Sequence, residues 1–174
     1  MTLFEALTAA RQRIDRLDAR LLLQYATGCS HTDLLARPET PVSAPACAQF
    51  AEWVARRAAG EPLAYIVGEV EFRGRVFQVS PAVLIPRPET EVLIDLALEK
   101  LAGLANPKIL DLGTGSGIVA ISLALECPRA AVVAVDLSLE AISVARNNAG
   151  RLGANVDFRQ GDWFSPVAGE HFDL

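Results

Sequence analysis

Three acidic residues and one glycine-rich segment have the types and spacing needed to bind a nucleoside. The segment 111–117, Asp-Leu-Gly-Thr-Gly-Ser-Gly, stands between a predicted strand and a predicted helix. Glycines let the backbone turn tightly and approach a ligand closely, because no Cβ is in the way. Asp136 ends the next predicted strand, where a carboxylate can accept both hydroxyls of a ribose. Asp162 and Trp163 follow the third strand, well placed to bind the amino edge of an adenine and cover its face.

The spacing of these glycines differs from the dinucleotide fingerprint. Gly-x-Gly-x-x-Gly would require glycine at the position of Ile118, which disfavours a dinucleotide oxidoreductase but leaves it as an alternative. Taken singly, each feature also has a structural explanation: a tight connection, a capping Asp at a strand end, or a packed Trp. The ordered combination favours a ligand site.

The combination resembles the nucleoside site of the Rossmann-like class I methyltransferases, which use S-adenosylmethionine. The sulfonium and ammonium groups of this donor suit the acidic second part of the chain. Residues 1–60 carry seven Arg and six Asp or Glu, whereas the remaining chain carries nine bases against fifteen acids.

The elements before the glycine-rich segment divide into a helical part and a hairpin. We expect an N-terminal helical domain over residues 1–68, since Thr2 to Glu5 forms a capping box, Asp15 and Ser43 can begin helices, and Gly28 can end one. The expected inward residues of the second and fourth helices are Leu17, Leu21, Leu22 and Tyr25, and Phe50, Trp53, Val54 and Ala58. Residues 69–79 alternate around Arg73-Gly74, which predicts a β-hairpin, and we expect residues 69–88 to form this hairpin and a linker.

The pattern of residues 89–174 predicts the first half of a Rossmann-like α/β domain. An amphipathic helix over 89–101 has Val92, Leu93, Leu96 and Leu101 as its apolar residues. Strands Lys-Ile-Leu-Asp-Leu, Ala-Val-Val-Ala-Val-Asp and Val-Asp-Phe-Arg-Gln then alternate with helices, which predicts a parallel sheet. Residues 171–174 are typical of the opening of a fourth strand. The predicted fold class is α/β.

Composition excludes several classes of function. The net charge of −5 is a poor footprint for general nucleic-acid binding. No apolar run reaches the length of a membrane span, and the first residues lack the blocks of a secretory signal, so we expect a cytoplasmic protein. Three separated Cys and two distant His argue against a disulfide framework or a metal site.

A longer stretch narrows the resemblance to one family. Residues 60–95, which include Ile-Pro-Arg-Pro-Glu-Thr-Glu at 85–91, closely resemble the hallmark segment of the PrmC/HemK family of release-factor glutamine methyltransferases. Residues 16–28 are similar to the family's N-terminal helical domain. Sister enzymes that modify a ribosomal protein share this plan but diverge after the Pro-Arg pair.

The family methylates the side-chain amide nitrogen of the glutamine in the Gly-Gly-Gln motif of class 1 peptide-release factors. The resemblance implies that S-adenosylmethionine is the co-substrate and that no metal is used. It implies donor-binding roles for Asp111, Gly113, Thr114, Gly115, Gly117, Asp136, Leu137, Asp162 and Trp163. It also implies that Arg87, Glu89 and Glu91 line the substrate cleft, although acids at a helix N-terminus also favour the helix dipole.

The family's catalytic Asn-Pro-Pro-Tyr loop does not occur in these 174 residues. We therefore assign no catalytic residue and expect this chain by itself to be inactive. We also expect the outer edge of the Lys-Ile-Leu-Asp-Leu strand to be unpaired and prone to self-association. The alternatives are a non-catalytic module that binds the donor or a release factor, and a related methyltransferase acting on ribosomal protein or on adenine amino groups.

Overall fold

The computed structural model describes residues 1–174, which form two compact units, Met1–Val67 and Gly68–Leu174. None of the helices combines the length and the apolar character that crossing a membrane requires.

The first unit is entirely helical. Its helices are α1 (Leu3–Ala10), α2 (Arg16–Thr27), α3 (His31–Ala36), α4 (Ala44–Ala58) and α5 (Leu63–Val67). The predicted caps are confirmed: Thr2 and Glu5 form a reciprocal capping box, and the side chains of Asp15 and Ser43 accept from backbone N–H groups of the first turns. These side chains satisfy donors that a helix leaves without partners.

The inward faces of two helices differ from the prediction. In α2 the buried residues are Ala19, Leu22 and Leu23, whereas Leu17 and Tyr25 are about half exposed. In α4, Phe50 and Val54 are buried as predicted, but Ala58 is exposed. The difference in α2 arises because helices α1, α4 and α5 all pack against it. The buried face includes Ala19, a small residue that the spacing of large apolar residues does not reveal.

The second unit begins with the predicted hairpin. Strands β1 (Glu69–Phe72) and β2 (Arg75–Gln78) pair antiparallel, and both turn residues, Arg73 and Gly74, have positive φ, the geometry that matches the twist of paired strands. The hairpin is more than a linker, because Phe72 and Phe77 are buried in the core of the second unit. Their rings are nearly perpendicular and meet edge to face, with centroids 6.3 Å apart.

A three-stranded parallel sheet follows, as predicted. The strands β3 (Lys108–Leu112), β4 (Ala131–Asp136) and β5 (Asp157–Gln160) lie in the order β3-β4-β5. Helices α7 (Ile118–Glu126) and α8 (Leu139–Leu152) connect them, and a short 3-10 helix spans Ser165–Val167. Because the strands are parallel, their carboxyl ends meet at one edge of the sheet, where the glycine-rich turn begins.

Helix α6 (Glu89–Leu101) has the predicted bounds but a different inward face. Ile94, Ala97 and Leu101 are buried, whereas Val92, Leu93 and Leu96 are 58%, 54% and 54% exposed. The helix thus carries apolar residues on two faces, and only one of them contacts the core.

The outer edge of β3 is partly paired, which corrects the expectation of an open edge. The N–H of Asp173 donates to the carbonyl of Lys108 (2.8 Å), and the N–H of Leu110 donates to the carbonyl of Leu174 (2.9 Å). Phe172 packs beside Val133 and Val135. The last residues therefore run along the first half of β3, as the predicted opening of a fourth strand requires.

Candidate nucleoside-binding site

A pocket of about 260 Å³ lies where the strands of the parallel sheet end. Its lining comes from the last residues of β3 and β4 and from the loop after β5: Leu112, Gly113, Val135, Asp136, Leu137, Gly161, Asp162 and Trp163. The carboxyl edge of a parallel sheet is the usual position for a ligand in open α/β folds.

The glycine-rich turn is held against β4 by its backbone. The N–H groups of Gly113 and Thr114 both donate to the carbonyl of Val135, at 2.8 and 3.0 Å, and the N–H of Gly117 donates to the carbonyl of Thr114. These hydrogen bonds fix the path of the turn from β3 into α7 and leave Gly113 at the pocket surface.

The packing of two helices requires a glycine at position 117. It precedes α7 with a φ of +79°, and a Cβ built there would lie 2.9 Å from Cδ1 of Ile121 and 3.0 Å from Cβ of Ala145. Helices α7 and α8 therefore approach each other at this glycine, and any side chain would force them apart.

Asp136 connects the turn to the start of α8. Its Oδ2 accepts from the N–H of Gly115 (2.8 Å), and its Oδ1 accepts from the N–H of Ser138 (3.0 Å). A carboxylate has about four acceptor positions, so two backbone donors leave Asp136 with the capacity to accept further hydrogen bonds in the pocket.

Trp163 forms a wall of the pocket in an unusual conformation. Its φ is +46° and its side chain is 68% exposed. Positive φ is uncommon for a bulky residue and costs free energy. The loop is held from both ends: the N–H of Gly161 donates to the carbonyl of Asp136 (3.0 Å), and the guanidinium of Arg159 donates to the carbonyl of Pro166 (3.0 Å).

Asp111 is not among the residues that line this pocket. Its Oδ2 accepts from the hydroxyl of Thr114 (2.7 Å), and the residue lines a separate, mainly apolar groove beside α6. Burial is the main cause that raises the pKa of Asp111. The hydrogen bonds from Thr114 and from the N–H of Ala120 oppose that rise, and the nearby Asp136 carboxylate adds to it.

The structure brings together five of the nine residues assigned to the donor, namely Gly113, Asp136, Leu137, Asp162 and Trp163. Asp111, Thr114, Gly115 and Gly117 do not line this pocket, and their hydrogen bonds hold the glycine-rich segment in place. The sequence analysis did not assign Leu112, Val135 or Gly161 to the site. Leu112 ends the first predicted strand and Val135 precedes the last residue of the second, so their positions were a signal for the first two of these residues.

Arg87, Glu89 and Glu91 are all exposed at the start of α6. The N-cap residue, Pro88, makes no side-chain capping hydrogen bond. Glu89 and Glu91 thus lie in the first turn of α6, where a negative charge interacts favourably with the helix dipole.

No group of three or more His, Cys, Asp or Glu side chains stands close enough together to hold a metal ion.

Two family descriptions match the chain. The PrmC N-terminal domain matches residues 3–68, and a methyltransferase domain matches residues 104–174. A solved RNA methyltransferase from Salinibacter ruber, in complex with S-adenosyl-L-homocysteine, is 31% identical over 47% of this chain and 52% of that chain. Its TM-score of 0.40 marks a likeness of limited extent.

Curated relatives match over the whole chain. The release factor glutamine methyltransferase of Bordetella pertussis is 47% identical, covering 100% of this chain and 64% of that protein. The protein of the same name in Koribacter versatilis is 46% identical over 100% of this chain and 65% of that protein. The one in Burkholderia pseudomallei is 48% identical over 88% of this chain and 56% of that protein.

The chain thus spans between about half and two thirds of the length of these relatives. With both family descriptions matched in order and the identity sustained along the chain, the chain belongs to the PrmC family and carries its N-terminal domain followed by a methyltransferase domain.

Proposed function

We propose that the pocket at the carboxyl ends of β3, β4 and β5 binds S-adenosylmethionine, and that the protein is a methyltransferase for the glutamine of the Gly-Gly-Gln motif in class 1 release factors. The observation that carries the proposal is the meeting of Asp136, Asp162 and Trp163 around one pocket beside the glycine-rich turn. Membership of the family supports the reaction class.

The residues present fit a nucleoside donor. Asp136 has free acceptor positions for ribose hydroxyls, and Asp162 stands beside the indole of Trp163 at the adenine end. Trp163 is exposed, and its backbone has a positive φ, which costs free energy. Such outliers are commonly retained where a ligand uses them.

The bound donor supplies an electrophilic methyl group on a sulfonium. Residues of this chain bind and orient it: Asp136, Asp162 and Trp163 hold the nucleoside, and Asp111 supports the turn through its hydrogen bond with Thr114. Trp163 excludes water from one face of the base. Orientation is the main contribution, since well-aligned reactants gain about 7–11 kcal/mol over free encounter.

The acceptor is proposed from the names of the relatives and from the exposed side chains at the start of α6. An amide nitrogen is a poor nucleophile, because its lone pair is delocalised into the carbonyl, so the acceptor must be held in place. Arg87, Glu89 and Glu91 are exposed and are proposed to line the substrate cleft.

Turnover is proposed to need residues that these 174 do not contain. No Asn-Pro-Pro-Tyr occurs in the sequence, and the chain by itself is proposed to bind the donor without transferring the methyl group. The site of action is proposed to be the cytoplasm.

The test has two parts. Calorimetric titration of the 174-residue chain with S-adenosylhomocysteine should give saturable binding that is tighter than binding of a nicotinamide dinucleotide. A longer product of the same reading frame should transfer labelled methyl to a release factor, and a release factor with Gly-Gly-Ala in place of the motif is the matched control. Equal labelling of the two release factors, or labelling of ribosomal protein or DNA instead, would overturn the acceptor assignment.

A further inference from the structure

Asn148 is a buried polar residue for which the donor site itself gives no role. It lies in the last half of α8 and is 0% exposed. Most buried polar side chains are retained because they satisfy other groups. The partners of this one belong to two elements that are far apart in the sequence.

The Asn148 amide uses both its hydrogens and its oxygen. Its Oδ1 accepts from the N–H of Gln78 (2.7 Å), and its Nδ2 donates to the carbonyl of Gln78 (2.9 Å) and to the carbonyl of Ser116 (2.9 Å). Gln78 is the last residue of β2, and Ser116 is in the glycine-rich turn. One side chain therefore joins the end of the hairpin to the turn.

A second contact places α8 directly under the same turn. Ala145, one turn before Asn148 in α8, is the residue whose Cβ would lie 3.0 Å from a Cβ at Gly117. The turn is thus bounded by Ala145 through packing and by Asn148 through hydrogen bonding. The carbonyl of Ser116 accepts from Asn148 in a buried hydrogen bond, and Ser116 does not line the pocket.

We propose that Asn148 is a positioning residue that fixes the glycine-rich turn in its donor-binding shape and ties that shape to the β-hairpin. The proposal rests on the proposed donor site for its functional consequence but not for its structural content. Asn148 touches no ligand in this account and acts through Ser116 and the N–H and Cα groups of the turn that face the donor.

The test compares Asn148→Ala and Asn148→Asp with Asn147→Ala, an exposed neighbour in the same helix. Amide hydrogen exchange is measured on the ligand-free 174-residue chain, well below the unfolding temperature of every variant. Loss of the Ser116 hydrogen bond should speed exchange at Gly115 and Gly117 about tenfold, since one such bond contributes about 0.5–1.5 kcal/mol. Exchange in β4 should not change.

The two substitutions separate the two ends of the connection. A carboxylate can still accept from the N–H of Gln78 but cannot donate to Ser116, so Asn148→Asp should loosen the turn and leave the Gln78 amide protected. Asn148→Ala should speed amide exchange both at the turn and at Gln78. A carboxylate at this buried position faces the carbonyls of Gln78 and Ser116, which is costly for an unpaired charge. If Asn148→Asp does not fold, Asn148→Ala, which buries no charge, makes the decisive comparison at the turn.

Unchanged exchange at Gly115 and Gly117 in a folded variant would overturn the positioning role. Titration with S-adenosylhomocysteine then measures its consequence, and both variants should bind about tenfold more weakly than Asn147→Ala. Equal affinities despite a loosened turn would overturn the link to the donor. If the unsubstituted chain binds no S-adenosylhomocysteine, the donor assignment fails, while the exchange data still decide what Asn148 does.

Discussion

The two sides of β3 are organised very differently. On the side of β4, the strand ends and loops are tied together by side chains, since Asp136 holds two backbone N–H groups, Arg159 holds the loop after β5, and Asn148 holds the turn. On the side of α6, Val92, Leu93 and Leu96 are more than half exposed. The hydrogen bonds from residues 173 and 174 cover only the first half of the outer edge of the strand.

The difference shows that the pocket on the side of β4 is held in place without contacts from α6. Every residue that lines the pocket comes from β3, β4 and the loops that follow β3, β4 and β5. The α6 side has an anchor on one face only, which consists of Ile94, Ala97 and Leu101 in the core and an ion-pair cluster around Arg73. Changes on the donor side should therefore alter ligand binding or the fold, and changes to the outer face of α6 should alter neither.

The largest effect is expected at the glycine where the two helices meet. Gly117→Ala should lower the free energy of unfolding by about 2–4 kcal/mol, because the new Cβ overlaps Ile121 and Ala145 and the residue keeps a positive φ. The matched control is Gly150→Ala, where a Cβ meets nothing within 4 Å and helix propensity should raise stability by about 0.5–1 kcal/mol. Urea denaturation measures both, and equal effects at the two positions would contradict the packing role.

The anchored face of α6 depends on Glu126 at the end of α7. Its carboxylate accepts two hydrogen bonds from Arg73 (2.9 and 2.8 Å) and one from Arg75 (2.8 Å), and Arg73 also donates to Asp95 in α6. Glu126→Gln should cost about 1.5–3 kcal/mol at pH 7, as is usual for hydrogen bonds to a charged group.

The hydrogen bonds from Arg73, followed by those from Arg75, hold the pKa of Glu126 below its ordinary value of 4.5, against the opposing effect of burial. A carboxyl whose pKa is lower in the folded state contributes stability that is complete above the unfolded value and is lost as the pH falls through the folded value. The difference between the original chain and Glu126→Gln should therefore shrink below about pH 4.5. The exposed Glu99→Gln is the control, and a difference that persists at low pH would contradict the ion-pair account.

The pocket wall gives an effect of intermediate size that is confined to ligand binding. Trp163→Ala should weaken binding of S-adenosylhomocysteine by about 1–3 kcal/mol, the usual contribution of a base stacked on an aromatic ring. The unfolding midpoint should hardly change, because the side chain is 68% exposed. Phe164→Ala removes a neighbouring ring that is 63% exposed and does not line the pocket; equal losses of affinity in both variants would argue against stacking on Trp163.

The smallest effect on stability is expected on the outer face of α6. Leu93→Lys should change the free energy of unfolding by less than about 0.5 kcal/mol, as surface substitutions usually do, while it reduces self-association of the 174-residue chain in sedimentation at high concentration. Leu139→Lys, at an exposed leucine in α8, is the control. Identical sedimentation of the two variants would show that the α6 face is not the contact.

The sequence predicted best what depends on local chemistry. The caps of α1, α2 and α4, the hairpin turn and the alternation of strands and helices all follow from residues a few positions apart. The inward faces of α2 and α6 were predicted less well, because several apolar stripes satisfy the same helical period and tertiary packing selects one of them.

The candidate site shows the same division. Asp136, Asp162 and Trp163 could be chosen from their positions after strands, since parallel strands bring those positions together. The separation of Asp111 from the pocket, the packing role of Gly117 and the hydrogen bonds of Asn148 depend on contacts between segments distant in sequence. A local pattern contains no information on such contacts.

Fluorescence of Trp163 tests the donor site most directly. The chain has two tryptophans, and Trp53 lies in the helical unit. Trp53→Phe therefore leaves Trp163 as the only source of indole fluorescence. Titration of this variant with S-adenosylhomocysteine should change the indole emission in a saturable way, with the same midpoint as the calorimetric binding curve. Binding detected by calorimetry with no change in Trp163 emission would place the ligand elsewhere and contradict the assignment of this pocket.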